Sequence, residues 1–158
     1  MIEIAVSAAM LVEARDKAVE MGSLYNSITR GQGNLAGFLG EAIAHQVLGG
    51  ERINTYEYDL IMENGTTVDV KTKLTSVKPL ESYMCSVAKL NTKQQCDYYA
   101  FVRVKNDYSV GWFLGLCSKQ RYFDEAIFMA KGTVDLDNKY VVRSDCYNLA
   151  IHKLQSVI

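Results

Sequence analysis

The sequence is poor in several residues that announce particular functions. It has one proline and two histidines in 158 residues. Cys85, Cys96, Cys117 and Cys146 are widely spaced, with no Cys-x-x-Cys pair. That spacing argues against a zinc ribbon and a small disulfide scaffold, and predicts reduced, mostly buried thiols. No charge of one sign dominates: the formal net charge is -1 and the pI about 6.1. A balanced protein has no global pull on polyanions, so any nucleic-acid contact must come from a local patch. The apolar start is broken by Glu13 and Arg15 and has no basic leader. It therefore predicts neither a secretory signal nor a membrane span, and a cytoplasmic protein. No Ser-His-Asp or Cys-His nucleophilic arrangement is legible. The glycines Gly31 and Gly33 lack the Lys-Ser/Thr of a phosphate-binding loop. Repeats, low-complexity segments and interdomain linkers are absent from the sequence.

What is present fits one domain over residues 1–158, with 49% hydrophobic residues to bury. Ile4, Ala8, Leu11, Val12, Ala18 and Val19 fall near helical spacing, predicting an amphipathic helix over residues 3–21 ended by Gly22. Residues 23–33, which include Arg30, read as an exposed loop. Asn34 offers an N-cap for a second helix over 35–48, stopped by Gly49 and Gly50. Strands are predicted over 52–58, 83–88, 97–105, 109–116, 127–130 and 140–143, and short helices over 92–96 and from Ser118. The segment 147–157 is ambiguous between strand and helix. This order predicts an α/β sandwich on a central mixed β-sheet.

The chain is organised around residues 58–73, YDLIMENGTTVDVKTK. Asn64-Gly65 between alternating segments predicts a hairpin with a type I′ turn. In the second arm Val68 and Val70 share one face, and Thr67, Asp69, Lys71 and Lys73 the other. Folding the hairpin back brings Asp59 toward them, so two carboxylates and an ammonium meet on one patch. Hard cations such as Mg²⁺ take carboxylate and carbonyl oxygens and keep several waters, which makes Asp59 and Asp69 suitable ligands. Lys71 is positioned to orient an attacking water and to offset charge on a phosphate. The plainer alternative is an edge strand with a cross-strand ion pair. Glu41 lies on the second helix with Gly37 and Gly40 nearby. Helix glycines are costly, so they predict close approach of a backbone or a ligand, though an exposed glutamate beside a packing seam is the simpler alternative. His45, one turn beyond, admits either a supporting or a purely structural role.

The ordered set of Glu41 on a helix, Asp59, and Asp69-Val70-Lys71 on the following strand resembles the signature of PD-(D/E)xK nucleases. Tyr58 stands where the nominal proline would be. Gly40-Glu41 resembles the Gly-Glu of the preceding helix in that superfamily. Gln94 and Tyr98 fit the Gln-x-x-x-Tyr pattern of its exonuclease-like branch, unless Gln94 is merely exposed and Tyr98 core. The resemblance covers about residues 34–105. It implies a restriction endonuclease-like α/β/α sandwich and a metal-dependent nuclease hydrolysing DNA. It further implies that Asp59, Asp69 and the Val70 carbonyl hold Mg²⁺, with Mn²⁺ able to substitute, and that Glu41 contacts it or a second ion. Lys71 would orient the water, and Gln94 would help position DNA. Lys73 and Lys93, with Lys71, Lys78 and Lys89, form a locally basic stretch suited to phosphate contacts, or a solvated lysine face. Relatives act as homodimers or within larger complexes. The rival expectation is a non-catalytic nucleic-acid-binding or assembly protein with the same fold, and a weaker third is an RNA-directed or other phosphodiesterase.

Overall fold

The computed structural model describes residues 1–21, 32–53, 55–135 and 140–156. The elements in order are β1 (Ile2–Ala5), α1 (Ala8–Met21), α2 (Gln32–Leu48), β2 (Glu51–Arg52), β3 (Leu60–Ile61), β4 (Thr67–Thr75) and β5 (Met84–Ala88). A 3₁₀ turn (Lys89–Lys93) precedes β6 (Tyr98–Lys105), β7 (Val110–Ser118) and α3 (Lys119–Glu125). The chain closes with β8 (Ile127–Met129), β9 (Val134–Asp135), β10 (Tyr140–Val141), β11 (Cys146–Ala150) and a second 3₁₀ turn (Ile151–Lys153).

The main sheet runs β1-β7-β6-β4-β3-β2, with β4 and β6 parallel and its other pairs antiparallel. On one face α1 and α2 cover a core that includes Leu39, Ile43, Val68, Val70, Val102 and Phe113. The other face carries α3 and a three-stranded antiparallel sheet, β5-β11-β8, closing over Tyr99, Phe101, Trp112, Tyr122 and Leu149. The architecture is mixed α/β, and its second outer layer is largely sheet. Alternation along β4 sends Val68 and Val70 toward the helices, and Asp69 and Lys71 away from them. Among the described residues, no helix is long and apolar enough to cross a membrane. All four cysteines are free and buried.

Several boundaries depart from the sequence expectation. The first helix begins at Ala8, because Ile2–Ala5 pairs with the edge of β7; Ile2 and Ile4 also satisfy strand alternation, and pairing overrides the helical spacing. The second helix starts at Gln32, which leaves Asn34 within its first turn. Its end is as expected: Gly49 and Gly50 have φ of +74° and +81°, and Gly49 N donates to His45 O at 2.8 Å. The strand expected over 52–58 is confined to Glu51–Arg52, since Thr55 Oγ1 accepts from the Glu57 and Tyr58 backbone and curls the chain. Of the loop expected over 23–33, Gln32 and Gly33 belong to α2; residues 23–31 with Arg30, together with Gly22 and Asn54, lie outside the described residues.

The hairpin forms at Asn64-Gly65, but not through a type I′ turn. Gly65 has φ +83°, whereas among the described residues Tyr108 is the only non-glycine with positive φ. Gly65 N donates to Met62 O, and Met62 N to Thr66 O, each at 2.8 Å. This is the three-residue loop with one left-handed residue, which glycine supplies. The helix expected over 92–96 is instead the turn Lys89–Lys93. Ser118 caps α3 as expected, accepting from Arg121 N at 3.3 Å. The ambiguous tail resolves into β11 and a 3₁₀ turn.

Gly40 fixes how close α2 sits to the sheet. A Cβ there would stand 1.8 Å from Thr72 Oγ1, so only glycine admits this approach to β4. Gly37 has no such reason, because a Cβ there meets nothing within 4 Å.

Candidate active site at the fork between β3 and β4

The site is built where β3 parts from β4. Leu60 pairs with Val68, and Asp59 N still donates to Val68 O at 3.0 Å. The next donor on that edge, Val70 N, has no strand opposite. Asp59 takes the strand's place: its Oδ2 accepts the Val70 N–H at 2.7 Å. The departure of β3 after two residues thus swings the Asp59 carboxylate beside Asp69-Val70-Lys71. The register the sequence leaves open is set by the three-residue loop and the Leu60–Val68 and Ile61–Thr67 pairing, and the Asp59 side chain extends it by one bond.

Asp69 is 3% exposed and points toward the second layer. Lys71 Nζ lies 2.6 Å from Asp69 Oδ2, an ion contact without the alignment of a good hydrogen bond. The same ammonium donates to Gln94 Oε1 at 2.8 Å. Gln94 is buried, and its Nε2 donates to Tyr56 O at 2.7 Å while its main-chain carbonyl accepts from Lys119 Nζ. Behind it, Asp97 Oδ2 accepts both Thr67 N and Thr67 Oγ1, pinning this segment to the start of β4. Gln94 is therefore a built-in clamp on Lys71 and not a surface residue. Tyr98 packs against the helix-side core.

Glu41 approaches from α2. Arg52 NH2 lies 3.7 Å from Glu41 Oε2, and Arg52 NH1 2.5 Å from Glu13 Oε1, so one guanidinium bridges two acids. Burial pushes the Glu41 carboxyl above its ordinary value; Arg52 and Lys17 oppose the rise and the Asp69 carboxylate adds to it. Asp59 is pushed up to about 8, first by burial and then by the Glu41 and Asp69 carboxylates, against the Val70 N–H and Lys71. Glu41, Asp59 and Asp69 are thus within electrostatic reach of one another. They are not closed into a cage: among the described residues, no group of three or more His, Cys, Asp or Glu side chains stands ready to hold a metal ion.

That arrangement is compatible with a cation held by two carboxylates and water. Mg²⁺ retains several waters and is commonly bound through one or two carboxylates, so a three-acid cage is not required. Burial, and after it the Glu41 and Asp69 carboxylates, hold the Asp59 carboxyl up, and a divalent ion bound there would favour its charged form.

Two lysines of the expected basic stretch have acid partners. Lys78 pairs with Glu3 at 3.1 Å and Lys89 with Asp145 at 3.7 Å, while Lys93 is exposed at the end of its 3₁₀ turn. Lys73 Nζ lies 4.4 Å from the centre of the Tyr140 ring. His45 holds the end of α2 through Gly50 O at 3.1 Å, and His152 contacts Glu81 O at 3.3 Å; both serve the backbone. Arg52, Lys119 and the Tyr56 carbonyl join the site without any signal in the sequence. Arg52 lies in a segment that reads as strand, Lys119 follows a helix cap, and a carbonyl belongs to every residue. No protein-family model matches this sequence, and no curated protein matches it.

Proposed function

We propose that the chain is a metal-dependent nuclease with a restriction endonuclease-like fold, cleaving DNA phosphodiester bonds at the fork between β3 and β4. One observation carries the reading: Asp59 is bonded to the backbone of the Asp69-Val70-Lys71 strand, which gathers two acids and one clamped ammonium at a single edge. Asp59, Asp69 and the Val70 carbonyl would hold Mg²⁺ or Mn²⁺, with Glu41 beside them. When bound, such an ion polarises the scissile phosphate and acidifies a water. Lys71 supplies a fixed ammonium that donates hydrogen bonds to that water or to a phosphate oxygen and offsets charge developing on it. Gln94 keeps Lys71 from swinging away, because its own amide is anchored on Tyr56 O. Arg52 restrains Glu41 from the side of α1.

The test is incubation of supercoiled and linear DNA with purified protein in Mg²⁺, Mn²⁺ or EDTA. The reading requires cleavage in either metal, none in EDTA, and none by Asp69→Asn or Lys71→Met variants that melt like the parent. Equal cleavage by either variant, or no cleavage by the parent on any DNA form, rejects it.

A second reading, a nucleic-acid-binding or assembly protein that does not cut, draws support from a specific observation. The Asp69 oxygen is already against Lys71, and among the described residues no three-acid set is closed. Such a protein would bind DNA equally well in EDTA and gain no thermal stability from Mg²⁺.

A further inference from the structure

Lys73 and Arg103 stand opposite each other on the parallel strands β4 and β6. They continue, one alternation further along, the face that carries Asp69 and Lys71. Beside them, between the main sheet and β5, is a cavity of about 110 Å³ lined among others by Lys71, Lys73, Ser86, Phe101, Arg103 and Leu114. That is room for a group of several atoms, since about 10–15 Å³ holds one water.

The charged residues that line this cavity are all cationic. Arg103 is only 7% exposed, and NH2 donates to Met84 O at 2.8 Å. No carboxylate is among the lining residues. Among the described residues, none of Lys73, Arg103 and Arg143 forms an ion pair. Burial depresses the Arg103 guanidinium below its ordinary value. Holding a guanidinium out of water beside a second cation, with no ion-pair partner among the described residues, is costly. A planar fork of N–H donors facing a small cavity suits the paired oxygens of a phosphate. The Ser86 hydroxyl proton is already given to Asn148 Oδ1 at 2.6 Å, which leaves Arg103, Lys73 and the ammonium of Lys71 as the donors.

We propose that this cavity is a phosphate-binding subsite, in which Arg103 and Lys73 hold a backbone phosphate of a nucleic-acid strand that also passes the Asp59, Asp69 and Lys71 edge. The choice of a nucleic-acid strand as ligand rests on the nuclease reading; the cationic cavity does not.

The experiment measures binding without cleavage. Parent, Arg103→Gln and Lys73→Gln proteins are titrated in EDTA with a fluorescent oligonucleotide at several salt concentrations, and separately with inorganic phosphate while melting temperature is followed. Each substitution is expected to weaken the oligonucleotide roughly tenfold, as loss of one charged hydrogen-bonded contact does. Each should also lower the slope of log affinity against log salt by about 0.7–0.9. Inorganic phosphate should raise the parent's melting temperature and leave the Arg103→Gln protein unmoved. Unchanged oligonucleotide affinity and salt slope, or phosphate stabilising all three proteins alike or none, overturns the subsite. Should Arg103→Gln fail to fold, the exposed Lys73 position carries the test. Because no metal is present, a parent that binds through this cavity yet never cuts in Mg²⁺ defeats the hydrolase reading and leaves the subsite standing.

Discussion

The Asp59 carboxylate accepts the backbone N–H of Val70 at 2.7 Å, at the point where the neighbouring strand has already turned away. One side chain thereby closes an open sheet edge and delivers an acid to it. The same bond couples the fold to the chemistry, since moving Asp59 unsatisfies a backbone donor next to a core valine.

That coupling separates two substitutions. Asp59→Ala should cost about 1–3 kcal/mol, the penalty for a buried donor left without a partner. Asp59→Asn retains an acceptor and should lose far less. Urea unfolding of both variants checks this; equal losses would mean that the bond to Val70 contributes nothing.

Stability of the metal-free protein should fall as pH rises. Asp59 has its folded value raised to about 8 from 3.8, so the folded state binds more protons than the unfolded state between those values. Its contribution is fully present below the unfolded value and lost as pH climbs toward 8, and Glu41 shifts in the same direction. Melting temperatures in EDTA from pH 5 to 8 should decline, and Asp59→Asn should flatten the decline. A parent that grows steadily more stable over that range contradicts the burial and mutual repulsion assigned to these acids.

Gly40→Ala should destabilise by roughly 1–3 kcal/mol, because overpacking a close seam forces side chains off their rotamers. The added methyl would meet Thr72 Oγ1 at 1.8 Å and Thr72 Cβ at 2.8 Å. Thr72→Ala should recover part of the loss and not all of it, since that Cβ remains. A double-mutant cycle by denaturant unfolding reads the coupling, and strict additivity would show that α2 simply shifts aside.

Gln94→Leu should lower the cleavage rate by about 10–100-fold, the usual effect of removing a group that orients a site residue. The loss should fall on kcat more than on KM, because Lys71 loses its clamp while the acids stay. An unchanged kcat would reduce Gln94 to a structural residue.

Much of this site was legible in linear order, because period-two alternation alone puts Asp69 and Lys71 on one face of β4. The hairpin, the glycine stop after α2 and the Ser118 cap were legible for the same local reasons. Long-range pairing was not. Ile2–Ala5 is strand only because an edge of β7 awaits it, and the helix expected there satisfied its own spacing equally well. The second layer closed by β5, β11 and β8 is also beyond local reading, since β5 and β11 meet across about sixty residues of chain. Of the five lysines that cluster in sequence, two are met by Glu3 and Asp145, which are remote from them in the chain. Arg103, buried and without an ion pair among the described residues, reads in the sequence as one more alternating residue in a strand.

The central claim, that Asp59 and Asp69 together seat a hard cation, is tested most directly by titrating Mn²⁺ into the protein and following the free ion by electron paramagnetic resonance. The account predicts a saturable site in the parent that Mg²⁺ competes away, weakened by Asp59→Asn and lost in Asp69→Asn. No saturable Mn²⁺ binding, or binding that both variants retain unchanged, would contradict it.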